Sequence, residues 1–401
     1  MPSDTEAGGP GALSLGEVGR AALPSFTETH RLPAHHWKVL RAIAACRTPA
    51  LGGHQYQCAH CGEGHFVPHS CRNRHCPTCQ GFQGAQWLER QAEDLLPIPY
   101  FHVVFTLPHA LNPLIQHNQV RLYNLLFASA TATLLEFGEH NLKAQLGLTA
   151  ILHTWSQTLG DHYHLHCVVT GGGLALDNSA WVSRQPGWLL PVRAMSIVFR
   201  AKFRDGLQQL FDARQLQFPE ALPGLSVPAS FARWLRRCCR PKWNVYTKRP
   251  FAGPEVVLAY VCRYTHRVGI SNRRLERLDR QAKTVTFTYK DYAHEGQKRS
   301  MTLSLDEFVR RFCLHILPPR FVKSRHYGML SNRDRTHRIA HARELLGALP
   351  TEPERSGEAQ RPIQHRERSP LRCPRCGQPA LILVRIIYPP RNNPPPLTDT
   401  S

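Results

Sequence analysis

DHYHLHCVVTGGG, residues 161–173, sets three histidines at alternate positions and then runs into three glycines. Val168, Val169 and Thr170 are strand formers. On a strand, side chains alternate faces with period two. His162, His164 and His166 then project to one side, and Tyr163, Leu165 and Cys167 to the other. Three protonated imidazoles so close would repel. Held neutral, they form a ready binding site for a cation. Gly171–Gly173 either let backbone approach a ligand closely or form a turn after the strand.

The neighbours of this stretch define its surroundings. YFHVVFTLP, 100–108, is β-branched and aromatic and ends at Pro108, so it reads as a strand. LTAILHTW and YHLHCVVTGG read as two strands joined by a short polar link. Residues 113–146 and 191–218 look helical, as does a segment around 34–47. KTVTFTYKDY, 283–292, alternates Val285, Phe287 and Tyr289 against Thr and Lys, the pattern of a half-exposed strand. Ser304 and Glu307 have capping-box spacing ahead of a helix that stops before Pro318. The expected fold class is α+β. Four segments are expected: a disordered N-terminus over 1–28, a cysteine-rich domain over 29–95, a larger domain over 96–335 and a tail over 336–401. That tail is basic and Pro-rich and reads as disordered apart from CPRCG, 373–377.

The chain has 401 residues, with 50 Lys and Arg against 29 Asp and Glu, a net charge of +21. Such a surplus favours a polyanion, with nucleic acid the leading class. No apolar run is long enough to span a bilayer, and no basic amphipathic helix suggests a membrane surface. The first residues lack the basic start and apolar stretch of a secretory signal, so the expected location is the cytoplasm, at the nucleoid.

In a reducing compartment, 13 cysteines point to metal ligands rather than disulfides. In CAHCGEGHFVPHSCRNRHCPTCQ, Cys58 and Cys61 form one C-x-x-C pair, and Cys76 and Cys79 another. The spacing resembles that of zinc ribbons, and four thiolates so arranged would close a structural Zn2+ site. Cys71 and His75 are additional ligand candidates, as are Cys373 and Cys376 of the tail. The tail pair is half of a knuckle, for which His365, Cys313 and His315 are candidate partners. Arg72 and Arg74 beside the first block read as phosphate contacts or as a solvated loop.

GPEVVLAYVCRYTHRVGISN, 253–272, opens a helix with Pro254 in its first turn. Val256, Tyr260 and Tyr264 fall on one face of it. Arg263, His266 and Arg267 give that helix a polar, phosphate-facing character. Trp243, Tyr246 and Phe251, beside Lys242, Lys248 and Arg249, could stack bases of a single strand or belong to the core.

Taken together, CRNRHCPTCQ, FTLP, LHTWSQTLGDHYHLHCVVTGGG, VYTKRPFAGPE, YVCRYTHRVGISN and LPPRFVKSRHYG resemble the two-tyrosine HUH transposases of bacterial insertion sequences, the insertion sequence ninety-one family. The resemblance spans roughly 30–330. HUH denotes His-hydrophobic-His, here His164-Leu165-His166. It implies an antiparallel sheet with flanking helices, preceded by a small zinc-binding domain. It also implies rolling-circle transposition through single-stranded DNA. The HUH histidines, with His162 the third imidazole on that strand face, are expected to hold Mg2+ or Mn2+. Tyr260 or Tyr264 is expected to attack the scissile phosphate, giving a 5′-phosphotyrosine. Insertion-sequence ends and target DNA are the implied partners. DNA-binding candidates are Arg72, Arg74, Arg263, Arg267, Lys248 and Arg249.

Other readings fit parts of the chain. A plasmid replication initiator or relaxase shares the HUH chemistry but does not account for the cysteine block joined to the tyrosine pair. A non-catalytic zinc protein that binds nucleic acid leaves the histidines and tyrosines unused. A metallo-hydrolase would need more carboxylates than Asp161 near the histidines.

Overall fold

The computed structural model describes residues 13–92, 94–183, 191–248, 268–347 and 371–389. The chain begins with two packed helices, α1 (Leu15–Thr29) and α2 (Ala34–Ala45). A hairpin follows, β1 (Gly53–Cys58) and β2 (Gly64–Pro68), and then α3 (Pro77–Ala92). The stretch 13–28 is therefore ordered, contrary to the expectation from its composition. Ser14 caps α1 through a capping box with Glu17. Val18, Ala22 and Phe26 are fully buried. Their i, i+4, i+8 spacing is a helical stripe that the surrounding Gly, Ala, Pro and Ser conceal.

The central sheet carries β3 (Tyr100–Thr106), β4 (Ala144–Trp155), β5 (Asp161–Ala175), β6 (Trp181–Ser183), β7 (Val245–Lys248) and β11 (Ser324–Gly328). Its strand order is β11-β4-β5-β3-β7, with β6 paired to β5, and every pairing is antiparallel. Between the strands run α4 (Asn112–His117), α5 (Gln119–Leu142), α6 (Val192–Asp212) and α7 (Pro228–Cys239). One sheet face presents Phe101, Val103, Phe105, Leu148, Ala150, Leu152, Tyr163, Leu165 and Cys167. These residues form the largest core with α5, α6 and α7. The other face presents His102, His153, His164 and His166.

Trp243 belongs to that large core: it is buried, edge-on to Phe199 and Phe203, and its indole N–H donates to Cys238 O. It is therefore not a base-stacking platform. Tyr246, three residues later on β7, is exposed.

A second antiparallel sheet, β8 (Leu275–Asp279), β9 (Thr284–Asp291) and β10 (Gln297–Ser304), precedes the helix Leu305–Cys313. Val285 and Phe287 point inward from β9, as their alternation predicts. They share one core with Val18, Phe26 and Ile43 of the N-terminal helices and with Phe308 and Phe312. The N-terminal module therefore packs onto the second sheet and the helix Leu305–Cys313.

The tail is not featureless. Arg335–Leu345 is a helix, and β12 (Leu381–Ile387) pairs with β1 in a third sheet of order β12-β1-β2. A strand whose partner lies more than 320 residues upstream is invisible to local pattern reading.

Gly171–Gly173 lie within β5 rather than in a turn. A Cβ at Gly171 would sit 2.6 Å from Pro99 O, and one at Gly172 would sit 2.5 Å from Val182 O. The glycines thus let neighbouring backbone close onto the strand. Gly171→Ala is expected to destabilise the fold by about 1–3 kcal/mol through that clash. Denaturant unfolding of the purified variant measures it; an unchanged midpoint would contradict the packing described.

Candidate metal centres

The histidine centre is built across two strands. In the β4–β5 register His153 lies opposite His164, and Ile151 lies opposite His166. His153, His164 and His166 each offer a ring nitrogen, and these atoms all lie within 4.8 Å of one another. All three residues are buried. His162 shares the strand face but stands outside this cluster, so the expected third imidazole is replaced by His153. Residues i and i+2 on a strand are about 6.8 Å apart along the chain. Three histidines in a row therefore spread over roughly 13 Å, whereas a cross-strand pair has its Cβ atoms about 5 Å apart. Among the described residues, only His153, His164 and His166 bring their ring nitrogens to a common point on this face. The His162 ring lies between His164 and His109, with centroids 4.7 and 5.6 Å away, and burial followed by the charge of His109 lowers its pKa.

Hydrogen bonds orient the rings. His164 Nδ1 lies 2.8 Å from the backbone oxygen of His162. An N–H at Nδ1 donates there and leaves Nε2 as the donor atom for a cation. His166 Nδ1 lies 2.8 Å from Nε2 of His102 on β3, and the two rings stack at 5.0 Å. A His166 that binds through Nε2 carries its proton on Nδ1 and donates it to His102. His153 stacks on Trp155 at 4.4 Å, and Lys323 Nζ sits 5.2 Å from the Trp155 ring. His102, His153 and, in the cysteine cluster described below, Cys46 are the residues that sequence reasoning missed. His153 was within reach: it and His164 lie at similar distances from the polar link 156–160, so a hairpin there pairs them.

Tyr123 and Tyr163, buried against this sheet, are poor nucleophiles. Burial pushes the Tyr123 and Tyr163 hydroxyls well above the ordinary range, and Tyr163 donates to Asp161. Tyr260 and Tyr264 lie outside the described residues, as do Arg249, Arg263 and Arg267. Lys248 is at the end of β7, in register with His102.

Among the described residues the cysteines form two clusters, not one. Cys76 and Cys79, at the start of α3, meet Cys46 from the end of α2 and Cys71 from the preceding loop. Cys58 and Cys61 meet Cys373 and Cys376. The expected set Cys58, Cys61, Cys76 and Cys79 is thus split, and the candidates Cys71, Cys373 and Cys376 each complete a cluster. His75 belongs to neither. It is buried, and desolvation followed by the charge of Arg74 holds its pKa well down. In the first cluster, sulfur–sulfur distances are 3.6 Å for Cys46–Cys79 and Cys71–Cys79 and 3.7 Å for Cys46–Cys76. A tetrahedron of sulfurs with Zn–S bonds of about 2.3 Å has edges of about 3.8 Å. A disulfide would need about 2.05 Å. The positive end of α3 further favours thiolates at Cys76 and Cys79.

The two arginines beside the block differ. Arg74 donates to Phe321 O at 2.7 Å and Pro318 O at 2.8 Å, which ties the cysteine block to the segment 318–321 rather than presenting it to phosphate. Arg72 is exposed. Cys313 and His315 are buried away from the tail pair, and His315 lies 3.0 Å from Leu159 O.

Cys46→Ser removes one of four ligands from a fully buried cluster. It is expected to lower zinc content and to destabilise the chain by several kcal/mol, on the order of a lost buried metal contact. Cys313→Ser, at a buried thiol outside both clusters, should leave zinc content unchanged. Metal analysis of both purified variants tests this, and equal zinc in the two would contradict the assignment.

Comparison with known proteins agrees with this layout. Residues 147–338 match a family described as "Putative transposase", and residues 18–107 match the IS91 transposase zinc-binding domain. The chain is 43% identical over 395 residues to "Putative transposase y4qJ" of Sinorhizobium fredii, covering 96% of each chain. It is 28% identical over 304 residues to the transposase for insertion sequence element IS801 of Pseudomonas savastanoi pv. phaseolicola, covering 73% of this chain and 69% of that one. Among solved structures, the conjugative relaxase TrwC in its metal-bound complex with oriT DNA aligns at 12% identity and a TM-score of 0.26, over 64% of this chain and 96% of that one. With two family matches in chain order and near-complete coverage by a relative, this chain belongs to the IS91-type transposases.

Proposed function

We propose that the chain nicks and rejoins single-stranded DNA at insertion-sequence ends, by rolling-circle transposition through a 5′-phosphotyrosine. The observation that carries this reading is the buried triangle of His153, His164 and His166 on one sheet face. The three imidazoles fit a single divalent ion and leave room in its shell for phosphate oxygens and water. A bound Mg2+ or Mn2+ supplies charge that polarises the scissile phosphate.

The chain's own groups do the rest. Tyr260 or Tyr264 supplies the attacking hydroxyl. Its Oη forms a bond to phosphorus while the bond to the 3′ oxygen breaks, and the departing strand keeps a 3′-OH. The phenol has a free pKa of about 10, so it must lose its proton to a base as it attacks. The second tyrosine, four positions along the sequence, can take part in strand exchange. Because the phosphotyrosine retains the energy of the phosphodiester, rejoining needs no nucleotide cofactor. His102 keeps the His166 ring in the orientation that binding requires. The net charge of +21 draws in the strand, and binding should weaken steeply with salt.

The test is covalent labelling with an end-derived single strand and Mn2+. Tyr260→Phe/Tyr264→Phe should give no adduct. His153→Ala should abolish it as fully as His164→Ala, while His162→Ala should retain most of it. His102→Ala should raise the Mn2+ concentration needed by about 10- to 100-fold. An adduct formed by the double tyrosine variant, or lost with His162→Ala but kept with His153→Ala, would overturn the reading.

A further inference from the structure

CAHCG at 58–62 and CPRCG at 373–377 are the same five-residue pattern, placed near opposite ends of the chain. Their backbones are alike. Gly62 N–H donates to Cys58 O at 2.9 Å, and Gly377 N–H donates to Cys373 O at 2.8 Å. Cys58 N–H donates to Glu63 O at 2.9 Å, and Cys373 N–H donates to Gln378 O at 2.8 Å. Both glycines have φ of +72°, and a Cβ on either would meet nothing within 4 Å. The left-handed backbone alone therefore demands glycine there. Each segment is a tight knuckle that turns its two sulfurs toward a common point.

The knuckles face each other. Cys58 Sγ lies 3.7 Å from Cys376 Sγ, and Cys61 Sγ lies 3.7 Å from Cys373 Sγ. These separations match the ~3.8 Å edge of a zinc tetrathiolate and exclude a disulfide. Further contacts hold the two together. His65 Nε2 lies 3.2 Å from Cys373 Sγ, Arg375 pairs with Glu63, and Ala59 N–H donates to Ala380 O at 2.8 Å. From there β1 and β12 run antiparallel, from Cys58 opposite Leu381 to Gly53 opposite Ile387.

We propose that Cys58, Cys61, Cys373 and Cys376 bind a second structural zinc ion that staples the C-terminal strand to the N-terminal module. The matched zinc-binding family model ends at residue 107 and so lacks half of these ligands. The proposal is independent of the DNA chemistry above.

The sheet needs such a staple. A three-stranded sheet without a buried face is marginal in water. On β12, Ile382, Leu383, Val384 and Ile386 are all exposed, so burial contributes little to holding the strand. The metal supplies the missing folding energy, as it does in other small zinc-bound units. The two zinc sites should also differ in lability. Cys46, Cys71, Cys76 and Cys79 are all buried, whereas Cys61 and Cys376 are partly open to solvent. A chelator should therefore remove the ion at the joined knuckles first.

The test counts zinc in the full chain carrying His153→Ala and His164→Ala, so that the imidazole centre contributes none. Two zinc ions per chain are expected, released to a chelator in a fast and a slow phase. Cys58→Ser and Cys376→Ser should each remove the fast-released ion, and the double variant should lose that same single ion. Hydrogen exchange of the β12 amides should become fast in Cys376→Ser while the slow-released ion stays bound, which separates loss of the staple from loss of the fold. Two zinc ions retained by Cys376→Ser, one zinc in the parent, or unchanged protection of β12 in Cys376→Ser would each overturn the proposal.

Discussion

The pairing of β4 with β5 is the constraint on which the rest of the molecule depends. Its register faces His153 with His164 and buries Leu165, Cys167 and Val169 against α5 and α6. A slip of one residue would drive the imidazoles into an apolar core and expose the aliphatic set. The hydrophobic effect that fixes the core face thereby fixes the metal-binding face. Each buried leucine or valine in this set contributes about 1.5–3 kcal/mol to that choice of register. The glycines at 171–173 belong to the same device, because they let Pro99 and the flanking strands close onto β5.

Around this sheet the chain is organised by contacts between its distant parts. The N-terminal helices share a core with Val285, Phe287 and Phe308. Polar ties cross the same junction. Asn272 accepts from Leu15 N–H at 3.0 Å and donates to Thr78 at 2.9 Å, while Arg74 reaches the carbonyls of Pro318 and Phe321. The buried cysteine cluster sits within this junction and gathers the end of α2, the loop at Cys71 and the start of α3. A metal there would tie the loop at Cys71 and the start of α3 to the end of α2, which is itself anchored in the core by Leu40 and Ile43. The zinc-binding module is thus structurally continuous with the region that matches the transposase family.

Charge is distributed to suit a nucleic-acid partner. Exposed or half-exposed ion pairs neutralise some of the arginines, as where Glu307 meets Arg310 and Arg311. Those two guanidiniums hold the Glu307 carboxyl down to about 2. Such exposed pairs contribute little to stability. The remaining positive excess is available for long-range attraction of a polyanion.

Much was legible in the sequence because it is local. Strand alternation in YHLHCVV, the capping residue Ser304, the C-x-x-C-G pattern and the β9 alternation each depend on neighbours a few residues away. The sheet, the histidine face and the cysteine chemistry could therefore be read directly. What the sequence could not settle is which local pieces meet. Cys58 and Cys61 lie nearer in sequence to Cys76 and Cys79 than to Cys373 and Cys376, yet the β1–β12 pairing joins them to the distant pair. His162 is nearer in sequence to His164 than His153 is and keeps its ring 4.7 Å from it, yet the nitrogens that converge are those of His164, His166 and, across the hairpin, His153. The residues by themselves determined the ligand types and the period of each element. Only the tertiary structure chose the partners, because a metal site requires donors converging within a few ångströms, and sequence separation does not measure that distance.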